Sequence, residues 1–129
     1  MANAAYLNAV STTGICTATA PAAPGVVWNL SSLSVSQAGP TVGPNSKVTI
    51  WDGAVGTGAA IFTAFLGAPG IPGGAGSVGI IQDIPLPRSP SGVQGIQASP
   101  GNAMNIQVTG TGGNQVSINA RLSDGIPQV

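Results

Sequence analysis

From Val26 onward the chain alternates apolar and polar residues with a period of two, the pattern of half-buried strands. Val26, Trp28 and Leu30 share one face. Ser31-Ser32 then shifts the phase and Leu33 and Val35 carry it on, as a β-bulge would. Lys47-Val48-Thr49-Ile50-Trp51 reads as a second strand, closed by the turn dipeptide Asp52-Gly53. Ala60 to Leu66 is apolar at both alternations, with Ile61 and Phe65 on one side and Phe62, Ala64 and Leu66 on the other. It is expected as a strand covered on both faces. Ser77 to Leu86 resumes the pattern until Pro85 and Pro87 stop it, and Val93 to Ala98 is a short strand. The last two strands alternate most clearly: Met104, Ile106 and Val108, then Val116, Ile118, Ala120 and Leu122. The short loop Thr111-Gly112-Gly113 predicts that they form a hairpin, with Val108 opposite Val116, Ile106 opposite Ile118 and Met104 opposite Ala120. Its outer face then pairs Thr109 with Gln115, Gln107 with Ser117 and Asn105 with Asn119.

About seven strands at roughly 8–12-residue spacing, with no helical pattern, predict an all-β chain: an antiparallel β-sandwich or jelly roll. Residues 26–129 make its single domain. Residues 1–25 stand apart. They are rich in Ala and Thr and end in Pro21-Ala22-Ala23-Pro24-Gly25, so they read either as an extended N-terminal arm or as a first strand. As an arm, the segment carries four apolar anchors for a neighbouring subunit: Tyr6, Leu7, Val10 and Ile15.

Composition narrows the chemistry. Charged residues are 5% of the chain: Lys47, Arg88, Arg121, Asp52, Asp83 and Asp124. Water-facing positions fall instead to 12 Ser, 10 Thr, 8 Asn and 7 Gln. Zero net charge with three cations gives no footprint for nucleic acid and no polybasic patch for lipid. Without His or Glu and with the single Cys16, neither a structural zinc set nor a His-based nucleophilic triad can be assembled, so no metal or cofactor is expected. Cys16 is expected as a reduced, buried small hydrophobe. Met1 to Gly25 lacks the Lys or Arg of a signal-peptide start, and no apolar run reaches the length of a membrane-spanning helix.

Motif matches dissolve on their context. Gly74-Ala75-Gly76-Ser77-Val78-Gly79 fits the dinucleotide pattern, but it follows a Gly/Pro loop and enters a strand rather than opening a helix. Gly67 to Gly73 makes two collagen-like triplets, too few for a triple helix, and Pro87-Arg88-Ser89-Pro90 reads as a stiff surface loop. Asp52 and Asp124 each precede a Gly, the turn use of Asp, and no two acids share an element. Trp28 shares a face with Val26 and Leu30 and is expected in the core. Trp51 is out of phase with Val48 and Ile50, so it belongs to a second covered face or to an interface.

The stretches Val48-Thr49-Ile50-Trp51-Asp52-Gly53 and Gly95-Ile96-Gln97-Ala98-Ser99-Pro100-Gly101-Asn102-Ala103-Met104, set in a small and nearly uncharged all-β chain, resemble the jelly-roll capsid decoration (cement) proteins of tailed bacteriophages. The likeness spans residues 26–125 in pattern, and its motifs are turn chemistry. It implies a non-enzymatic virion structural protein, made in the host cytoplasm and seated on the capsid exterior. There it would bridge major capsid protein subunits as a dimer or trimer of itself, with no cofactor. Beyond the four N-terminal anchors, the partner-contact candidates are Trp51 and the uncharged ladder Asn105, Gln107, Ser117 and Asn119. Two other classes stay open: a carbohydrate- or receptor-binding β-module such as a fibre tip or surface lectin, and a tail or baseplate component.

Overall fold

The structure, a computed structural model, describes residues 4–39, 46–65, 78–87, 95–110, 112 and 114–124. Nine strands run through them: β1 Ala4–Ser11, β2 Ile15–Ala20, β3 Trp28–Gly39, β4 Lys47–Asp52, β5 Ala59–Phe65, β6 Val78–Asp83, β7 Ile96–Gln97, β8 Met104–Thr109 and β9 Gln115–Asp124. No helix occurs among the described residues. One sheet, A, has the order β1-β9-β3-β6, with β7 also on β3; the other, B, has the order β2-β8-β4-β5. Every pairing is antiparallel. β6 pairs with the far half of β3 (Ser34 to Gly39) and β7 with its start (Asn29 and Leu30), so the two are one interrupted strand along a single flank. Each sheet then has four lanes, and the chain crosses between sheets as a jelly roll does.

The core lies between the sheets. Sheet B contributes Val48, Ile50, Met104, Ile106 and Val108; sheet A contributes Leu30, Val35, Val116, Ile118 and Leu122, and all ten are fully buried. Each such side chain contributes about 1.5–3 kcal/mol on burial. Trp28 joins this core and its Nε1 donates to the Pro21 carbonyl at 2.8 Å, so the indole is both packed and satisfied. The phase shift after Leu30 is a bulge: the register with β9 slips between Leu30 and Ser32. The Ser31 hydroxyl stitches it by donating to the Arg121 carbonyl at 3.0 Å.

Two expectations change and one open alternative is decided. The hairpin of the last two strands does not form. β8 pairs with β2 and β4 in sheet B, whereas β9 pairs with β1 and β3 in sheet A. Period two gave the inward face of each strand correctly, but two apolar rows can meet side by side in one sheet or face to face across a core, and here they meet across it. Of the two readings of the N-terminal segment, residues 4–20 take the strand one. β1 pairs along its whole length with β9, and β2 with β8, which makes the N-terminal segment an edge strand of each sheet. Its alternation Cys16, Ala18, Ala20 is buried with the rest. The second change is at β5, which is covered on one face only. Phe62 and Ala64 pack on the core, while Ile61 and Phe65 point to the outer face of sheet B and are exposed. The collagen-like triplets, most of the P-x-x-P stretch and most of the glycine motif at 74–79 lie outside the described residues.

Candidate functional site

The two outer sheet faces are the surfaces this fold presents, and strand register fixes what each carries. On sheet B, Ile15, Thr109, Lys47 and Phe65 form one cross-strand row, and Thr17, Gln107, Thr49 and Thr63 the next. A third row holds Thr19, Asn105 and Trp51. This face is a field of hydroxyls and amides with one charge, Lys47. Exposed apolar side chains sit at both edges: Ile15 (50% exposed) on β2, and Ile61 and Phe65 (64%) on β5. Single exposed apolar residues are ordinary on any protein, but three on the two edge strands of one nearly uncharged face form a pattern.

On sheet A the corresponding rows are Tyr6, Arg121 and Ser32; Asn8, Asn119, Ser34 and Asp83; and Val10, Ser117 and Ser36. Tyr6 is 71% exposed, and the Arg121 guanidinium lies 5.2 Å from its ring centroid, within cation–π range. The Ser36 and Ser117 hydroxyls bond to each other. A shallow depression of about 300 Å³ opens beside them, lined by Tyr6, Asn8, Ser34, Asp83, Asn119 and Arg121 among others.

At one end of the sandwich the two stretches that carry the phage-protein resemblance meet. Asp52, the last residue of β4, gathers the 99–102 turn. Its carboxylate accepts from the Ser99 hydroxyl at 2.6 Å, the Ser99 N–H at 3.1 Å and the Asn102 amide at 3.0 Å. Burial alone would raise this carboxyl's pKa; the three hydrogen bonds outweigh it and hold it below the ordinary carboxylate range. Gly53, at φ 105°, donates its N–H to the Ala103 carbonyl at 2.8 Å. The turn reading of Asp52 therefore holds, and the acid also ties two distant loops together.

The candidate contact residues divide between the faces. Tyr6, Val10, Ser117 and Asn119 lie on sheet A, and Ile15, Trp51, Asn105 and Gln107 on sheet B, so the single uncharged ladder expected of a hairpin is split across opposite sides. Leu7 is half-buried against the core. Asn105 is buried, and both ends of its amide are engaged: it accepts from the Thr19 hydroxyl and donates to the Gly53 carbonyl, each at 2.6 Å. Trp51 is half-buried and its enclosed Nε1 has no acceptor among the described residues. Sequence reasoning missed the buried polar cluster of Gln37, Ser46 and Asn114. Gln37 is buried, donates to the Ser46 hydroxyl at 2.7 Å and accepts from Asn114 at 3.4 Å, bracing the end where β8 crosses to β9. Its place in the Leu33–Val35–Gln37 alternation was the available sign.

No protein-family model matches the chain, and no curated protein matches it. Among solved structures it is similar to the cryo-EM structure of the giant freshwater prawn Macrobrachium rosenbergii extra small virus (XSV) VLP. Identity is 14%, over 99% of this chain and 80% of that one, with a TM-score of 0.30. At that score the likeness is too slight to bear on fold or function.

Proposed function

We propose that this protein is a non-enzymatic structural component of a bacteriophage virion. It is made in the host cytoplasm and bound on the capsid exterior, where it bridges major capsid protein subunits as a dimer or trimer of itself. The observation that carries the reading is the outer face of sheet B. Cementing requires a complementary surface and no reacting group. This face offers hydroxyls and amides that pair with a protein partner at low desolvation cost when satisfied, with apolar anchors at its rims. A standard contact takes about 800 Å² from each partner. Two or three such contacts fit on a surface of 6695 Å².

The test is reconstitution. Purified protein is mixed with capsid shells of the encoding virus that lack it, sedimented, and the pellet imaged by electron microscopy. The expected result is stoichiometric binding with density on the shell exterior at capsomer junctions. Absence from the pellet, or density confined to the tail, overturns the proposal.

A further inference from the structure

On sheet A, the row Asn8, Asn119, Ser34 and Asp83 places one polar side chain from each of four neighbouring strands in a line across the face. None of these four side chains bonds to another described residue. The row through Ser36 and Ser117 differs, because those hydroxyls satisfy each other. In the row on the other side, Tyr6 holds an exposed ring with the Arg121 guanidinium over one of its faces. The unengaged row and the ring line the same depression of about 300 Å³. Two amides, a hydroxyl, a carboxylate and a guanidinium therefore converge next to an aromatic surface.

From this convergence we infer a binding site for a single neutral sugar residue on the outer face of sheet A. A pyranose ring presents hydroxyls that each donate and accept, and a C–H patch that lies against an aromatic ring. Asp83 supplies acceptors, Arg121 donors, and Asn8, Asn119 and Ser34 both, so the row matches vicinal hydroxyls in either sense. Tyr6 supplies the apolar platform with the ring face that Arg121 does not cover. The charges of Asp83 and Arg121 cancel, which disfavours a phosphate or an ammonium group and favours a neutral polyol. Ligand sites span about 300–1,000 Å³, so this one sits at the small end and holds one ring rather than an oligosaccharide. The site uses the face opposite the docking surface proposed above and is independent of that reading: either can fail alone.

The experiment titrates the isotopically labelled full chain with the methyl glycosides of glucose, galactose, mannose and N-acetylglucosamine, following backbone amide resonances. At least one sugar is expected to give saturable shifts confined to Tyr6, Asn8, Ser34, Asp83, Asn119 and Arg121. Tyr6→Ala and Asn119→Ala each weaken that binding at least about tenfold, or 1.4 kcal/mol. Thr63→Ala, on the opposite sheet, leaves it unchanged. All three positions are exposed, and resonances far from the site report whether each variant stays folded. Absence of saturable shifts with all four sugars overturns the inference. So does a wild-type shift map centred elsewhere, or binding that survives both substitutions unaltered.

Discussion

The outer faces of sheets A and B are built from nearly the same residue types, yet they leave different chemistry exposed. Face B exposes Thr17 and Thr63 in its middle row, with Gln107 half-buried and Thr49 buried between them, Ile15, Ile61 and Phe65 at its edges and Lys47 as its single charge. Face A carries a row of unengaged amide, hydroxyl and carboxylate groups, one guanidinium and an exposed tyrosine. Face B carries exposed apolar residues on both of its edge strands, as a protein contact surface does; face A carries exposed Tyr6 and Val10 on β1 and opens a depression lined by polar groups, as a small-ligand site does. Nothing in bulk composition separates them. The difference comes from which residue stands where in each cross-strand row.

Both faces depend on the N-terminal segment, which supplies an edge strand to each. The sharpest way to break the comparison is therefore to remove residues 1–25. This deletes β1 and β2 together, with the buried Cys16, Ala18 and Ala20. The shortened chain is expected to show no cooperative thermal transition by circular dichroism. A melting temperature equal to that of the full chain would return the segment to the status of an arm.

How far the sequence reached follows from the same residues. Inward faces were legible because period two is a local property: Leu33 and Val35, Val48 and Ile50, Met104, Ile106 and Val108, and the β9 row all point where alternation placed them. So was the bulge at Ser31-Ser32, since a phase slip is written in the chain. Strand neighbours were not legible. The choice between β8 pairing with β9 and facing it across the core depends on where β1, β2, β3 and β4 lie, which no short window contains. The candidate faces inherited that error, and the Asn105–Asn119 ladder was assembled from two opposite sides. Gln37 and Asn114 escaped notice because a buried amide is recognised by its partners, and those partners are brought together only by the fold.

A smaller loss is expected at Gly95, where β7 joins the flank of β3 in sheet A. Its φ is +141°, and a Cβ there would stand 2.5 Å from the Leu30 carbonyl oxygen. Gly95→Ala is expected to destabilise by about 1–3 kcal/mol from backbone strain, and more if the contact cannot relax. Chemical denaturation measures it; a change under about 0.5 kcal/mol would show that the β7 connection shifts freely.

Acid sharpens the account of the Asp52 turn cluster, which sits under the Trp51 end of face B. The folded Asp52 carboxyl has a pKa below its unfolded value, so the folded state binds fewer protons. Its stabilisation is complete above the unfolded pKa and is lost as pH falls through the folded one. Melting temperature should therefore drop below about pH 4, and Asp52→Asn should flatten that limb while lowering stability at neutral pH. An identical acid limb in the variant would place the titration elsewhere.

The smallest effects on stability are expected at the exposed apolar residues. Tyr6→Ser and Phe65→Ser should each stay within about 0.5 kcal/mol of wild type, because neither side chain supports the core. Binding to shells should also depend little on salt, with retention through about 1 M sodium chloride, where the Debye length is only about 3 Å. Release at moderate salt would show that Lys47 and the few other charges dominate the contact.

These near-neutral substitutions make the direct test possible, since any effect on docking cannot be blamed on unfolding. Wild type, Phe65→Ser and Tyr6→Ser are titrated onto undecorated capsid shells of the encoding virus, and bound protein is measured by sedimentation. If face B docks on the shell, Phe65→Ser weakens binding at least about tenfold, as truncation of an interface anchor does. Tyr6→Ser, on the face turned away, binds as wild type does. Equal binding by wild type and Phe65→Ser, or loss of binding in Tyr6→Ser, would contradict the assignment of face B as the docking surface.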